Sequence, residues 1–233
     1  MALLALAALT ASHGATTPTL VVLSPGVPAD GSTALLQASC MALARLDNVR
    51  VVLREPELPG DEIERLVSNL RPLFPREGSL VLHEKCADAR RIAAAHGIGL
   101  HLSSIADWPA EREAFAGPLG VSAHSEAEVR AAAECGAQWA FLSPVARPTS
   151  KPGDMRPPLG EDALITAQRA LPEIDVIALG GISPASAARL AAGGCRGVAV
   201  LGGVYSNGAA TDPDDAYAAA AVFAKALADH SWC

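Results

Sequence analysis

The sequence predicts a single-domain α/β protein with the (β/α)8 TIM-barrel fold, on the basis of three observations. Eight short aliphatic segments follow residue 18, and longer Ala-rich segments with helical periodicity separate them. Continuously apolar strands that alternate with helices are typical of parallel sheets covered on both faces. The chain of 233 residues is 50% hydrophobic, so one domain can bury a sizeable core.

Predicted strands and helices alternate along the chain from residue 19 onwards. We predict strands at 20–24, 51–54, 79–83, 99–102, 119–122, 139–143, 175–179 and 197–201. We predict helices at 32–46, 60–73, 87–96, 126–135, 161–170, 184–192 and 213–228. Eight strands in a chain of this length favour a closed barrel over the main alternative, an open flavodoxin-like or Rossmann-like sheet. No G-x-G-x-x-G sequence follows the first strand, which argues against a dinucleotide-binding sheet.

Capping residues mark several of these helix boundaries. Ser125 precedes an acidic first turn, and Ser183 precedes Pro184; both arrangements are typical of a helix start. Gly97 and Gly193 are predicted to end the preceding helices, because the residue after the last turn commonly adopts a left-handed conformation.

The composition argues against several function classes. The formal net charge is −7 and no basic stripe occurs, so binding to nucleic acid through phosphate neutralisation is not expected. The five cysteines are scattered without a C-x-x-C pair, which argues against a disulfide framework or a structural zinc site and favours a cytoplasmic location. Exposed barrel helices allow a homodimer, but the sequence singles out no face for it.

The first 18 residues are predicted to be an N-terminal extension, and the barrel domain is predicted to span residues 19–233. The extension has an apolar stretch, but no Lys or Arg precedes it, as one would in a secretory signal. The stretch is also too short to cross a membrane. We therefore expect a short leading helix or a non-native start here, and no membrane partner.

Two glycine pairs follow the last two predicted strands and predict a phosphate site. Gly180 and Gly181 follow the seventh strand, and Gly202 and Gly203 follow the eighth. In TIM barrels the functional groups cluster at the carboxyl ends of the strands, often with a phosphate bound after the last two. Glycines let a ligand approach the backbone closely, and exposed N–H groups bind its anion. The alternative is that these glycines serve only tight turns.

The segment 146–160 is long, rich in Pro and Gly, and carries cations and hydroxyl groups. Its length is typical of an active-site lid. Within it, Lys151 and Ser150 are predicted to bind a phosphate or diphosphate of the substrate. The alternative is an ordinary solvated loop.

Two histidines that lie near strand ends are candidates for proton transfer. His124 follows the fifth strand, and histidine is well suited to exchange protons near neutral pH. Ser122 is predicted to bind substrate, and either Ser122 or Ser125 is a candidate to orient the His124 ring. His83 and Glu84 form a second polar pair, but two ligands are too few to predict a metal site. His101 is expected to be a packed residue of the barrel rim.

Six segments, in this order and spacing, resemble the thiamin phosphate synthase and thiazole tautomerase (TenI-like) superfamily. They are VVLRE at 51–55, GLHL at 99–102, GVSAHS at 120–125, SPV at 143–145 with TSKP at 149–152, VIALGGI at 176–182 and GVAVLGGV at 197–204. The resemblance covers roughly residues 19–206. It implies a (β/α)8 barrel that acts in thiamin biosynthesis on a small phosphorylated heterocycle, a thiazole phosphate.

The superfamily has two branches with different chemistry. The synthase branch joins hydroxymethylpyrimidine diphosphate to a thiazole phosphate with loss of diphosphate and uses magnesium. The tautomerase branch isomerises a thiazole carboxylate phosphate to its aromatic form without a metal. By position, the resemblance implies that Arg54 binds substrate, that Lys151 contacts the diphosphate, and that Gly181, Gly202 and Gly203 hold the thiazole phosphate.

Departures from the synthase pattern favour the tautomerase branch. That pattern has Asn-Asp-Arg where this chain has HEK at 83–85, and its acidic fourth-strand motif is replaced by SSIA at 103–106, with Asp107 one place late. One displaced Asp and one Glu serve magnesium poorly. We therefore expect a thiazole tautomerase without a cofactor, in which His124 moves the proton. The alternatives are a divergent thiamin phosphate synthase that holds magnesium with Glu84 and Asp107, and a non-catalytic protein that binds a phosphorylated ligand.

Overall fold

The strands of the chain close into a barrel. The computed structural model describes residues 18–27, 33–147, 156–205 and 212–229. Its parallel strands pair in chain order, and the eighth pairs with the first, where Thr19 lies opposite Gly197. The strands are β1 (Thr19–Leu23), β2 (Val49–Leu53), β3 (Leu80–His83), β4 (Gly99–Leu102), β5 (Leu119–Ala123), β6 (Trp139–Leu142), β7 (Asp175–Leu179) and β8 (Gly197–Val200). This closed order confirms the predicted (β/α)8 barrel and excludes the open sheet.

A helix follows each strand in the described residues and packs on the outside of the barrel. The helices are α1 (Ala34–Leu43), α2 (Gly60–Leu70), α3 (Ala89–His96), α4 (Trp108–Ala114), α5 (Glu126–Glu134), α6 (Glu161–Ala170), α7 (Pro184–Gly193) and α8 (Pro213–Ala228). A short 3-10 turn, Arg71–Leu73, continues α2. Helix α4 was not predicted, because Trp108 is its one buried residue and a single apolar position leaves no periodic pattern in the sequence.

The predicted caps are mostly confirmed. Ser125 accepts a hydrogen bond from the backbone N–H of α5, and Ser183 forms a reciprocal capping box with Ser186 at the start of α7. Helix α7 ends at Gly193, as expected, and the residue with the left-handed conformation is its neighbour Gly194, with φ of 105°. Gly193 is required for packing instead, since a Cβ there would lie 2.3 Å from Ile165 Cδ1 of α6.

The core has two layers, one between the sheet and the helices and a smaller one inside the barrel. The inner layer consists of Val21, Val52, Val81, Trp139, Phe141, Ile177 and Ala199. The indole of Trp139 lies across β5, where a Cβ on Gly120 would come within 1.9 Å of it. Trp139 begins β6 and packs inside the barrel, toward the amino-terminal ends of the strands.

Among the residues that the structure describes, none of the helices has the length and apolar character needed to cross a membrane. Cys40, Cys86, Cys135 and Cys195 are free thiols.

Candidate active site

A cavity opens at the carboxyl ends of the strands, where the sequence placed the site. It is lined by all six of the predicted substrate-binding residues that the structure describes, namely Arg54, Ser122, Gly180, Gly181, Gly202 and Gly203. His83 and His101 also line it. Lys151 and Ser150, which were predicted to bind the anion, lie outside the described residues.

Unpaired backbone amides line one side of this cavity. After β8 the chain makes one helical turn, in which Val204 N and Tyr205 N donate to Leu201 O at 3.0 and 2.8 Å. The N–H groups of Gly202 and Gly203 begin this turn and have no hydrogen-bond acceptor among the described residues. Such amides at the start of a helical turn attract an anion.

The turn after β7 adds two more amides to the same side. The N–H groups of Gly181 and Ile182, which both line the cavity, likewise lack an acceptor within the described part of the chain. We call the amides of Gly181, Ile182, Gly202 and Gly203 the amide cradle. Its position after the last two strands is the usual one for a phosphate in this fold.

Packing and backbone conformation explain why glycine occupies two of these positions. Gly181 has φ of 67°, and a Cβ there would lie 2.8 Å from Ala146 Cβ. A Cβ on Gly203 would lie 2.8 Å from Phe223 Cζ of α8. The turn alternative therefore accounts for why these residues are glycine, and the argument for a ligand depends on their unpaired N–H groups instead.

Arg54 reaches the cavity from the end of β2, and its backbone is held by the neighbouring strand. Arg54 N donates to Ser24 Oγ at 2.8 Å. The next residue, Glu55, is buried, and its carboxylate accepts hydrogen bonds from the Ser24 hydroxyl and from the backbone N–H groups of Gly26 and Val27. Burial raises the pKa of Glu55, and its Oε1 atom has no partner in the described structure. The sequence analysis did not predict this role of Glu55.

Ser122 contacts a buried histidine that also lines the cavity. His101 Nε2 lies 3.0 Å from Ser122 Oγ, and His101 Nδ1 lies 3.2 Å from Trp139 Nε1. His101 is 1% exposed, and burial lowers its pKa well below the usual range, with His83 and Arg50 adding to the effect. The predicted packed environment of His101 is confirmed, but the sequence did not reveal its bond to Ser122.

His124 lies behind the cavity wall rather than in it. Its Nδ1 atom lies 2.9 Å from Ser143 O, and Arg156 Nη1 lies 2.7 Å from Nδ1 and 2.6 Å from Nε2. The Arg156 guanidinium therefore contacts both nitrogens of the ring. Ser143 and Arg156 line the cavity and His124 does not, so Arg156 stands between the imidazole and a ligand. Ser122 bonds to His101 and Ser125 caps α5, so the prediction that one of these serines orients the His124 ring was wrong.

The two carboxylates considered for magnesium are engaged elsewhere and do not line the cavity. Glu84 Oε1 accepts from Ser103 N at 3.1 Å and also from the Ser103 hydroxyl. Asp107 Oδ1 accepts from Ala110 N at 3.2 Å and caps α4. In the part of the chain that the structure describes, no group of three or more His, Cys, Asp or Glu residues is placed to hold a metal ion. These residues do not fit a magnesium site.

Comparison with known proteins identifies the family. The family model described as thiamine monophosphate synthase (TMP-TENI) matches residues 28–204, a span that includes β2 to β8 and all four glycines of the two turns. The chain belongs to this family.

Curated relatives in this family carry synthase names. The chain is 31% identical over 205 residues to the thiamine biosynthesis bifunctional protein ThiM/ThiE of Symbiobacterium thermophilum, a match that covers 87% of this chain and 39% of that protein. It is 34% identical over 158 residues to the thiamine-phosphate synthase of Moorella thermoacetica, a match that covers 66% of this chain and 73% of that protein. For the thiamine-phosphate synthase of Thioalkalivibrio sulfidiphilus the values are 32% over 194 residues, covering 81% and 88%. The chain therefore spans less than half of the length of the bifunctional relative, and most of the length of the other two.

The solved structures agree on the fold. Thiamine phosphate pyrophosphorylase from Pyrococcus furiosus superposes with a TM-score of 0.70 at 20% identity, covering 92% of this chain and 97% of that one. At this identity the likeness supports the barrel and nothing finer about the site.

Proposed function

We propose that the protein is an enzyme of thiamin biosynthesis that joins a thiazole phosphate to hydroxymethylpyrimidine diphosphate, as a thiamin phosphate synthase does. The synthase names of its relatives support this reaction better than the tautomerisation expected from the sequence. The observation that carries the proposal is the amide cradle, because it lines the same cavity as two guanidinium groups, those of Arg54 and Arg156.

The cavity offers two kinds of anion site, and the reaction brings together two phosphorylated molecules. The amide cradle binds the phosphate of the thiazole, since unpaired N–H groups at a helical turn bind such an anion without a charged side chain. Arg54 and Arg156 bind the diphosphate, because guanidinium groups form charge-assisted hydrogen bonds to phosphoryl oxygens.

The same residues stabilise the charge that develops in the reaction. A C–O bond to the diphosphate breaks and a C–N bond to the thiazole nitrogen forms, so negative charge increases on the departing oxygen. Donors already in place around that oxygen stabilise the transition state more than the ground state. Arg54 and Arg156 are the donors of this kind in the described cavity.

Magnesium supplies electrostatic neutralisation of a diphosphate wherever it is bound. Glu84 accepts hydrogen bonds from Ser103, Asp107 caps a helix, and neither carboxylate lines the cavity, so neither is placed to hold magnesium beside a bound diphosphate in this structure. We therefore assign no step of this reaction to a metal held by these two residues.

A tautomerase is the second candidate, and one observation favours it. Both ring nitrogens of His124 contact Arg156, which lines the cavity, and histidine is the side chain best suited to exchange protons near neutral pH. The ring would reach a substrate only after Arg156 moves aside. This requirement ranks tautomerisation below the coupling reaction.

A coupling assay separates the candidates. The purified protein is incubated with both synthase substrates, with magnesium or with EDTA, and thiamin phosphate and diphosphate are measured; a parallel sample contains only the thiazole carboxylate phosphate. Formation of thiamin phosphate with an equal amount of diphosphate is the expected result. Isomerisation of the carboxylate without coupling would instead identify a tautomerase. Tight calorimetric binding of thiazole phosphate with neither reaction would identify a non-catalytic binding protein.

A further inference from the structure

A line of four side chains runs from the lower barrel interior up to the cavity. The Arg50 guanidinium lies 4.0 Å from the ring centroid of Trp139. Trp139 Nε1 donates to His101 Nδ1 at 3.2 Å, and His101 Nε2 lies 3.0 Å from Ser122 Oγ. Ser122 lines the cavity, so the chain of contacts ends where a ligand binds.

The indole nitrogen determines the direction of every hydrogen bond in this line. The Trp139 indole nitrogen has one N–H and no lone pair for accepting, so it can only donate. His101 Nδ1 must therefore be the acceptor, and a neutral ring then carries its single proton on Nε2. Nε2–H donates to Ser122 Oγ, which uses a lone pair of the hydroxyl and leaves its proton unused.

The surroundings of His101 keep the ring neutral and fixed. The ring stacks on Phe141 with 4.1 Å between centroids, and the His83 ring lies at 5.6 Å. A second proton would sit on Nδ1, directly against the N–H of Trp139. Desolvation, the nearby His83 and the Arg50 cation all disfavour that charged form, in agreement with the lowered pKa.

We propose that His101 is a positioning residue that fixes Ser122 as a hydrogen-bond donor toward the substrate. His101 does not touch the reacting atoms in this role; it occupies a lone pair of the Ser122 oxygen so that the hydroxyl proton faces the cavity. In this role Ser122 donates its hydroxyl proton to an acceptor on the substrate, such as a phosphoryl oxygen or an unprotonated ring nitrogen. The identity of that ligand rests on the proposed function, whereas the protonation pattern of the ring does not.

The ring state can be tested without any substrate. In protein labelled with 15N-histidine, a two-bond 1H–15N correlation spectrum distinguishes protonated from unprotonated imidazole nitrogens, and the spectrum of His101→Asn identifies the resonances of His101. We expect a protonated Nε2 and an unprotonated Nδ1, unchanged between about pH 6 and about pH 8. A proton on Nδ1, or a ring that titrates in this range, would overturn the proposal.

A pair of variants tests the effect on Ser122. Gln places its amide N–H near the position of Nε2, whereas Asn places its amide near Nδ1 and leaves Ser122 without a donor. We expect kcat/KM in the coupling assay to stay within about threefold for His101→Gln and to fall about tenfold for His101→Asn, the usual effect of one lost hydrogen bond. Ser122→Ala should add little to the loss in the Asn variant, because the two changes remove one interaction.

The two failures can be told apart. Equal kcat/KM for the Gln and Asn variants, with matching Tm values, would overturn the positioning role even if coupling activity is present. If the parent protein shows no coupling, the proposed function fails, and the same variants are then compared by calorimetry with thiazole phosphate as the probe. Equal affinities in that comparison would also overturn the positioning role.

Discussion

Two parts of the barrel rim carry polar groups at equivalent strand ends, yet only one of them offers these groups to a ligand. After β7 and β8, the N–H groups of Gly181 and Gly202 have no acceptor among the described residues. After β3 and β4, the carboxylate of Glu84 is bonded to Ser103, and that of Asp107 caps α4. A polar residue at a strand end therefore becomes a ligand group only when the surrounding loops leave it unsatisfied.

The two sides of the rim also differ in electrostatic character. The β7–β8 side presents N–H donors to the cavity, whereas the carboxylates of the β3–β4 side accept hydrogen bonds from neighbouring groups and do not line the cavity. Arg54 and Arg156 add positive charge to the same cavity. The rim of a protein with a net charge of −7 is thus locally suited to anions, because backbone amides and two guanidinium groups outweigh the overall charge at short range.

The largest expected effect comes from placing a negative charge in the amide cradle. Gly202→Asp should weaken binding of thiazole phosphate by about a hundredfold, because the carboxylate competes for the N–H groups and repels the phosphate. Calorimetry measures this loss. Ala218→Asp, on an exposed face of α8, adds the same charge away from the cradle and should leave the affinity unchanged. An unchanged affinity in the Gly202 variant would show that the phosphate binds elsewhere.

The next effect distinguishes the two catalytic hypotheses. Arg156→Gln should lower kcat/KM for coupling by about thirtyfold, because one charged donor to the diphosphate is lost. Arg147→Gln removes an exposed cation from the same loop that does not line the cavity, and it should have little effect. If the protein is a tautomerase, the Arg156 variant exposes His124 instead, and isomerisation should be retained or increase.

A smaller effect is expected on the stability of the protein, and it comes from Glu55, which is buried with one carboxylate oxygen unpaired in the described structure. Because the pKa of Glu55 is raised in the folded protein, the protonated form is favoured there, and its contribution to stability is lost as the pH rises from the ordinary glutamate range through the raised pKa. The Tm of the parent relative to Glu55→Gln should therefore decrease from pH 4 toward neutrality, by about a few degrees. Calorimetric melting measures it, with the exposed Glu57→Gln as the control. A constant difference across this range would contradict the assignment.

The smallest effect is expected on the β3–β4 side. Glu84→Gln and Asp107→Asn should each change kcat/KM for coupling by less than about threefold, because neither side chain lines the cavity. The same assays at several magnesium concentrations complete the test. A tenfold loss together with a changed magnesium requirement would mean that these carboxylates gather around a metal during the reaction.

Much of the architecture was predictable, because it depends on local patterns. Each predicted strand lies within two residues of the observed one at both ends, since buried parallel strands are continuous apolar segments. Helix α4 was missed because only Trp108 marks its buried face. The general location of the site followed from the predicted strands, because parallel strands bring their carboxyl ends to the same end of the barrel.

The availability of each group at that edge was not predictable. Arg54 and Ser122 were expected in the site and line the cavity, but His124 was expected to face the substrate and instead lies behind Arg156. The role of Glu55 in holding the β1 turn has no sequence signal beyond its place after Arg54.

The sequence by itself determined the alternation of strands and helices, and with it the edge of the barrel where the functional residues collect. Only the tertiary structure decided which of those residues remain free to bind. Trp139 donates to His101 across 38 positions, and Ser103 donates to Glu84 across 19. Pairings of this kind depend on how the barrel closes, because hydrogen bonds form between groups that are close in space, and local periodicity carries no information about such distances.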